Sequence, residues 1–144
     1  MKRGFNKGQM KLSFGMIFSI ILIIFFITFA FYGISKFLEI QDAAQIGQFT
    51  DNLQSDVDRM WRDNQGSKEV EYFLPSKIKA ICFENEEYNL NFVSDEFIDD
   101  VKINHLDLAE SIGTKENICF DNLDGKIKFT IKKNFGENLV IIER

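Results

Sequence analysis

The stretch LSFGMIFSIILIIFFITFAFYGIS, residues 12–35, decides how this chain is built. It contains 24 residues without one charged side chain, whereas the rest of the chain is rich in Asp, Glu, Asn and Lys. As an α-helix it would measure about 36 Å, which exceeds the bilayer hydrocarbon core of about 30 Å. A helix also pairs its backbone groups internally, as lipid requires. The sequence therefore predicts a transmembrane helix over residues 12–35.

Two other interpretations of this segment are weaker. A domain of this size is too small to cover 24 such residues as a buried helix. A secretory signal has an apolar core of about 7–15 residues that ends at a small-residue cleavage site. This core is longer, and no such site follows it. The segment also lacks ionisable side chains, which argues against an ion or proton path, so we expect it to act as an anchor.

The charges on either side of the segment predict its direction. Residues 1–11 carry four basic side chains and no acidic one, and residues 36–144 carry 13 basic and 22 acidic side chains. Positively charged flanks remain in the cytoplasm, so we expect a cytoplasmic N-terminus and an extracytoplasmic C-terminal part in a cell membrane. An acidic exterior repels phosphate groups, so nucleic acid is not an expected partner.

The leader contains a short motif. Lys7-Gly8-Gln9 follows basic residues and precedes the apolar helix. This arrangement resembles the class III signal peptide of archaeal prepilins, a family that includes type IV pilin-like proteins and archaellins. The resemblance covers residues 2–35, and its strict motif is three residues long. It implies cleavage between Gly8 and Gln9, after which the apolar helix begins the mature subunit.

Two positions depart from that family's pattern. Ser13 stands where the family often has a Glu that serves in subunit docking. Lys11 would remain near the mature N-terminus, where filament subunits are apolar, and a charge in a packed helical core is costly. An uncleaved anchor, whose basic residues only set the topology, is therefore the alternative to a processed subunit.

The helical pattern continues beyond the apolar segment. Apolar residues recur at intervals of three and four, on one face of a helix: Ile46, Phe49, Leu53, Val57 and Met60. The stop signal at residues 64–67 ends the pattern. This stripe must be buried on the following domain or on a stem from another subunit. The pilin architecture packs such a helix on a small β-domain, and we expect that arrangement here.

After the stem the sequence changes period. Residues 126–132, KIKFTIK, alternate strictly between charged or polar and apolar, which predicts a half-buried strand. The Asp124-Gly125 pair before it predicts a hairpin with the preceding strand. Strands are expected at residues 70–74, 77–84, 88–94, 116–121, 126–132 and 139–143. Residues 95–113 fit either a short helix or a further strand.

The expected fold class is α+β. A long N-terminal transmembrane helix continues as an amphipathic stem and packs on a small antiparallel β-sheet or sandwich. The expected parts are a cytoplasmic leader at 1–11, the transmembrane helix at 12–35, the stem at 36–65 and the extracytoplasmic β-domain at 66–144.

The two cysteines lie in a local echo of the sequence. ICFEN at residues 81–85 and ICFDN at residues 118–122 place Cys82 and Cys119 at the same position near a strand end. Side by side, such strands would bring the two sulfur atoms together. An extracytoplasmic domain favours oxidation, so we expect a Cys82–Cys119 disulfide, with two buried free thiols as the alternative.

No residue pattern indicates catalysis, so we do not expect an enzyme, and we expect no metal, cofactor or small-molecule substrate. His105 has no neighbour at ligand spacing and is interpreted as a solvent-facing loop residue. Residues 121–125 lack the ligand pattern of a calcium loop and are interpreted as a turn. A dense carboxylate patch is interpreted as a solvated face: Asp95, Glu96, Asp99 and Asp100.

Two functional hypotheses remain. The first is a pilin-like, single-pass membrane-anchored surface protein with a structural or adhesive role. The second is a non-filamentous membrane subunit that binds another envelope protein through its stem and β-domain. Both hypotheses make the lipid bilayer a partner. The first adds self-association of the chain, and the second adds binding to another membrane protein.

Overall fold

A computed structural model describes residues 14–144, and the predicted cleavage site at Gly8 and Gln9 lies outside the described residues. The chain divides into two compact units, Met1–Ile40 and Gln41–Arg144. One helix, α1 (Phe14–Arg62), has residues in both units. By length and composition alone, α1 is the one helix in the described part that is long and apolar enough to cross a membrane.

In the first unit, α1 exposes its apolar side chains. Every residue from 14 to 40 is exposed, although most of them are Phe, Ile, Leu or other apolar types. The hydroxyl groups of Ser19, Thr28 and Ser35 each donate to the backbone carbonyl four residues earlier, at 2.7–3.0 Å. Such bonds satisfy a hydroxyl inside a helix without water. The hydroxyl donors of these three residues are therefore satisfied within the helix itself.

The second unit combines the last turns of α1 with two small sheets and a short helix. Its strands and helix are β1 (Gly66–Phe73), β2 (Ile78–Glu84), β3 (Leu90–Ser94), α2 (Leu108–Ile112), β4 (Asn117–Asp121), β5 (Lys126–Lys133) and β6 (Ile141–Glu143). All pairings between named strands are antiparallel, in the orders β1-β5-β6 and β3-β2-β4. The α+β class and the antiparallel sheets are as predicted.

The predicted hairpin between β4 and β5 is wrong, because these strands belong to different sheets. The turn itself is present: Asp124 and Gly125 have φ angles of 54° and 79°, and Leu123 and Lys126 exchange backbone hydrogen bonds. Asn122, however, donates its backbone N–H to the Lys79 carbonyl at 2.8 Å. This bond draws the end of β4 toward the start of β2, so pairing with β5 stops after one bridge.

One hydrophobic core joins both sheets and α1. Phe129 of β5 contacts Phe120 of β4 and Phe83 of β2, with ring centroids 4.9 and 5.9 Å apart. Phe49 of α1 reaches Tyr72 in the first sheet at 5.3 Å and Phe92 in the second. Aromatic pairs at such distances add to the gain from burying their area. The helix and the two sheets therefore stabilise one another as a single packed body.

The stretch from 95 to 113, for which the sequence fits either helix or strand, contains α2 and takes part in two isolated bridges, Leu90 to Val101 and Leu106 to Val140. Asp107 caps α2, and its carboxylate accepts from the Glu110 N–H at 2.9 Å. The buried amide of Asn89 exchanges two 2.8 Å hydrogen bonds with the Ile103 backbone. These side-chain bonds and the backbone hydrogen bonds of the two isolated bridges hold this stretch in place without a continuous strand ladder.

Candidate functional site

The stem residues predicted from the helical stripe lie where α1 meets the sheets. Phe49, Leu53, Val57 and Met60 are buried, and Ile46 is partly buried against the same core. Leu53 and Val57 expose none of their surface. Of the two surfaces left open by the sequence, the chain's own β-sheets cover the stripe. This face of the stem is therefore unavailable to a stem from another subunit.

A charged cluster lies along one flank of this contact. The Tyr72 hydroxyl donates to one oxygen of Asp56 at 2.8 Å, and the Lys68 ammonium binds the other oxygen at 2.9 Å. Burial raises the pKa of Asp56, but the hydrogen bonds from Lys68 and Tyr72 outweigh it and hold that pKa below its ordinary value. The carboxylate therefore stays ionised and links α1 to β1.

The pKa of the phenol in the same cluster shifts in the opposite direction overall, although burial raises the pKa of both groups. Burial raises the pKa of Tyr72 far above its ordinary value, and the hydrogen bond and negative charge of Asp56 raise it further. The phenol therefore remains a neutral donor to Asp56 at every pH in which proteins usually work.

A second polar cluster lies on the other flank, and we call it the clasp. It joins three residues of α1 to the loop before α2 and consists of Gln54, Asp58, Trp61, Asn104 and His105. The Gln54 amide donates to Asp58 at 2.7 Å and accepts from the Asn104 N–H at 2.8 Å. The clasp therefore fixes both the side chains on α1 and the backbone of the loop.

His105 lies in a loop, as the sequence predicts, but its side chain is only partly exposed and has two partners on α1. Its side chain is 35% exposed, its Nδ1 lies 2.9 Å from an Asp58 oxygen, and its ring stacks on Trp61. Its φ of 66° is uncommon for a side chain other than glycine, and its carbonyl accepts from Val140 at 2.9 Å. Asp58 and Trp61 are three residues apart on a helix, so they share a face, but nothing local in the sequence points to His105 as their partner.

The clasp brings a carboxylate and an imidazole into hydrogen-bond contact. The hydrogen bond from His105 holds the pKa of Asp58 below its ordinary value, against a smaller effect of burial. Asp58 and Trp61 thus orient the imidazole, one at its edge and one at its face. Among residues 14–144, no group of three or more His, Cys, Asp or Glu side chains is arranged to hold a metal ion.

The two cysteines lie directly opposite each other on paired strands. The β2–β4 register aligns Cys82 with Cys119, their Cα atoms are 4.1 Å apart, and a disulfide joins their sulfur atoms. Residues that lie directly opposite each other on antiparallel strands have side chains close together, which suits a disulfide between the strands. The disulfide links two adjacent strands of one sheet that are separated by 37 positions in sequence.

Part of the carboxylate patch forms ion pairs across the surface. Asp95 binds Lys79 at 2.5 Å and Glu96 binds Lys77 at 3.0 Å, whereas Asp99 and Asp100 are exposed. Two clefts open on the second unit. One of about 380 Å³ lies beside β4 and one of about 350 Å³ lies between α1 and β1. Neither cleft is lined by His105 or Asp58.

No protein-family model, curated protein or solved structure matches this chain.

Proposed function

We propose that this chain is a single-pass membrane-anchored surface protein that displays a small β-domain, with a pilin-like structural or adhesive role. The proposal rests on the difference in side-chain burial between the two parts of α1. Residues 14–35 are uncharged and mostly apolar and every one of them is exposed, whereas the stripe from Phe49 to Met60 is buried by the chain's own sheets. Soluble proteins rarely expose apolar patches of this extent, and a bilayer is the environment that would cover them.

Three further features support this topology. Four basic residues precede the apolar segment, which favours a cytoplasmic N-terminus. The hydroxyl groups of Ser19, Thr28 and Ser35 bond to the helix's own backbone, so lipid leaves them satisfied. The Cys82–Cys119 disulfide suits an oxidising compartment, which is where this topology puts the β-domain.

The pilin-like part of the proposal rests on the leader and on the stem. The motif around Gly8 resembles a class III cleavage site, and the stem packs on a small β-domain as in pilins. Because the stem stripe is used within the chain, self-association would involve the apolar helix or the outer surface of the β-domain.

A second candidate function is a non-filamentous membrane subunit that binds another envelope protein. Lys11 favours it, since a lysine near the mature N-terminus is costly in a packed filament core. Purification in detergent separates the candidates: a fixed co-purifying partner supports the second, and filaments support the first.

Membrane flotation of the full chain tests the anchor. We expect the chain to float with vesicles and the Ile24→Arg variant to lose much of that association, because an arginine near the centre of a span costs about 2.5–3.5 kcal/mol. Gln48→Arg, on the stem, is the matched control and should float as the wild type does. A wild-type chain that stays in the aqueous fraction overturns the proposal.

Intact-mass measurement tests the processing. A mature chain that begins at Gln9 in the wild type, and an intact leader in a Gly8→Val variant, are the expected results. A wild-type chain that keeps Met1 rules out the processed form and leaves the uncleaved anchor.

A further inference from the structure

Two loops meet at one end of the Gln41–Arg144 unit. The loop between β1 and β2 bonds to the turn between β4 and β5. Leu74 donates its N–H to the Gly125 carbonyl at 3.0 Å, and the Asn122 amide donates to the Pro75 carbonyl at 3.1 Å. Backbone and amide bonds of this kind fix the relative position of two loops. Phe73 at the end of β1 and Leu123 in the turn are therefore held at the same end.

Lys77, in the loop between β1 and β2, connects these two loops to a third segment, which follows β3. The Lys77 ammonium lies 3.3 Å from Asp42 on α1 and 3.0 Å from Glu96, just after β3. Asp42 is the second residue of this unit, so the three segments lie at the end of the unit where its part of α1 begins. We call this place the Asp42 end.

Each of the three segments at the Asp42 end carries one large apolar side chain in water. Phe73 is 65% exposed, Leu123 is 72% exposed and Phe97 is 93% exposed. Phe97 packs on almost nothing in the described part of the chain, so it contributes little to the core. Three such side chains at one end of the unit indicate a surface that another apolar phase covers.

The charges nearby suit a lipid headgroup layer. Two acidic residues near the apolar tips form ion pairs with lysines, Glu96 with Lys77 and Glu71 with Lys126. The Lys126 ammonium also lies 5.3 Å above the Phe73 ring. An aromatic ring with a lysine over it suits the interface between lipid and water. The ring enters the apolar layer, and the ammonium group remains with water and phosphate.

We propose that the Asp42 end rests on the bilayer, with Phe73, Phe97 and Leu123 in its interfacial layer. This inference rests on the proposed function, because it requires the helix to enter the same bilayer. Ile40, the last residue of the first unit, is 67% exposed and lies two residues before Asp42, roughly 3 Å along a helix axis. Chain connectivity therefore keeps the Asp42 end close to the segment that enters lipid, and it favours lipid over a protein as the phase that covers this end.

The opposite end of the unit provides an internal control. Phe135 is 82% exposed and follows Lys133, whose ammonium bonds to the Trp61 carbonyl near the end of α1. It matches Phe97 in residue type and in exposure but lies far from Asp42 along α1. Phe135 should therefore remain in water when the Asp42 end meets lipid.

Tryptophan scanning in brominated lipid tests this contact. Trp61 is the one tryptophan of the chain, so a Trp61→Phe background has no tryptophan emission of its own. Single Phe97→Trp, Leu123→Trp and Phe135→Trp variants of the full chain are reconstituted in phosphatidylcholine vesicles brominated near the headgroup end of the acyl chains. We expect Phe97→Trp and Leu123→Trp to lose most of their emission and Phe135→Trp to keep it.

The outcomes separate this inference from the proposed function. If the chain floats with vesicles and Phe97→Trp is quenched no more than Phe135→Trp, the contact is overturned and the anchor stands. Equal strong quenching of all three variants also overturns it, because the contact would not be confined to one end. If the chain does not float, the anchor fails and the contact fails with it. Circular dichroism matching the wild type shows that each variant is folded.

Discussion

The imidazole of His105 lies nearly parallel to the indole of Trp61, with ring centroids 4.0 Å apart and 9° between the planes. Asp58, one helical turn before Trp61, binds the edge of the same imidazole at 2.9 Å. A single loop residue is thus held by two side chains from one face of α1. This contact ties the end of the stem to the loop before α2 on the side opposite the Asp56 cluster.

Replacing His105 with Asn tests the clasp. Asparagine tolerates the positive φ of this position better than most residues, so His105→Asn removes the ring with little backbone strain. We expect a loss of about 1–2 kcal/mol in the free energy of unfolding, from one hydrogen bond to a charged group and one stacked pair. Urea unfolding of the full chain in mild detergent measures it, and acrylamide should quench Trp61 more strongly.

The matched control for this variant is Phe135→Ala, which removes an exposed ring outside the clasp. It should leave stability within about 0.5 kcal/mol of the wild type. Equal stability of His105→Asn and the wild type would show that the stacked imidazole contributes nothing to the fold.

The clasp also shows where the sequence stops being informative. The stem stripe and the alternating residues of β5 are local patterns, and the structure has the helix and the strand that they predict. His105 meets Asp58 across 47 positions, and no periodicity connects the two. Contacts of that separation depend on the assembled fold, so a lone histidine in a loop could not be assigned a partner in advance.

The pairing of β4 also depends on contacts between residues that are distant in sequence, so local patterns do not predict it. The Asp124-Gly125 pair correctly indicates a tight turn, but a turn specifies only its own two or three bonds. Whether β4 continues beside β5 depends on Asn122, whose bonds to the β1–β2 loop and the start of β2 favour a different sheet. The sequence does not distinguish helix from strand at α2, because its five residues are too few to show a period.

Stability at alkaline pH should report the Tyr72–Asp56 bond. The pKa of Tyr72 is raised by burial and by Asp56, so the folded state keeps a proton that an unfolded tyrosine loses near pH 10. The stabilisation is therefore complete below about pH 10 and falls above it, by up to about 1.4 kcal/mol per pH unit. Urea unfolding between about pH 9 and about pH 11 measures this slope.

Tyr72→Phe provides the comparison, because phenylalanine has no hydroxyl to titrate. Near neutral pH the variant should be less stable by about 1.5–3 kcal/mol, since it loses a hydrogen bond to a charged group. Its deficit should shrink as the pH rises above about 10. A deficit that stays constant across this range would contradict the raised pKa of the phenol.

Removing the disulfide should weaken the second unit markedly. The double variant Cys82→Ala with Cys119→Ala frees a loop of 37 positions, which the chain-entropy model values at about 4 kcal/mol. Wild-type chain treated with reductant is the control and should unfold at nearly the same urea concentration as the double variant. Non-reducing electrophoresis checks that the untreated chain is oxidised, and equal stability of variant and oxidised wild type would contradict a stabilising bridge.

The contrast along α1 predicts opposite outcomes for two leucines on the same helix. Leu53 exposes none of its surface and Leu38 exposes 54%. Leu53→Ala should lower the free energy of unfolding by about 2–5 kcal/mol, because it opens a cavity against both sheets. Leu38→Ala, the matched control, should leave that quantity within about 0.5 kcal/mol, because it removes no packing from the second unit. Urea unfolding followed by Trp61 fluorescence measures both, and equal losses would show that the stem is not packed on the sheets as described.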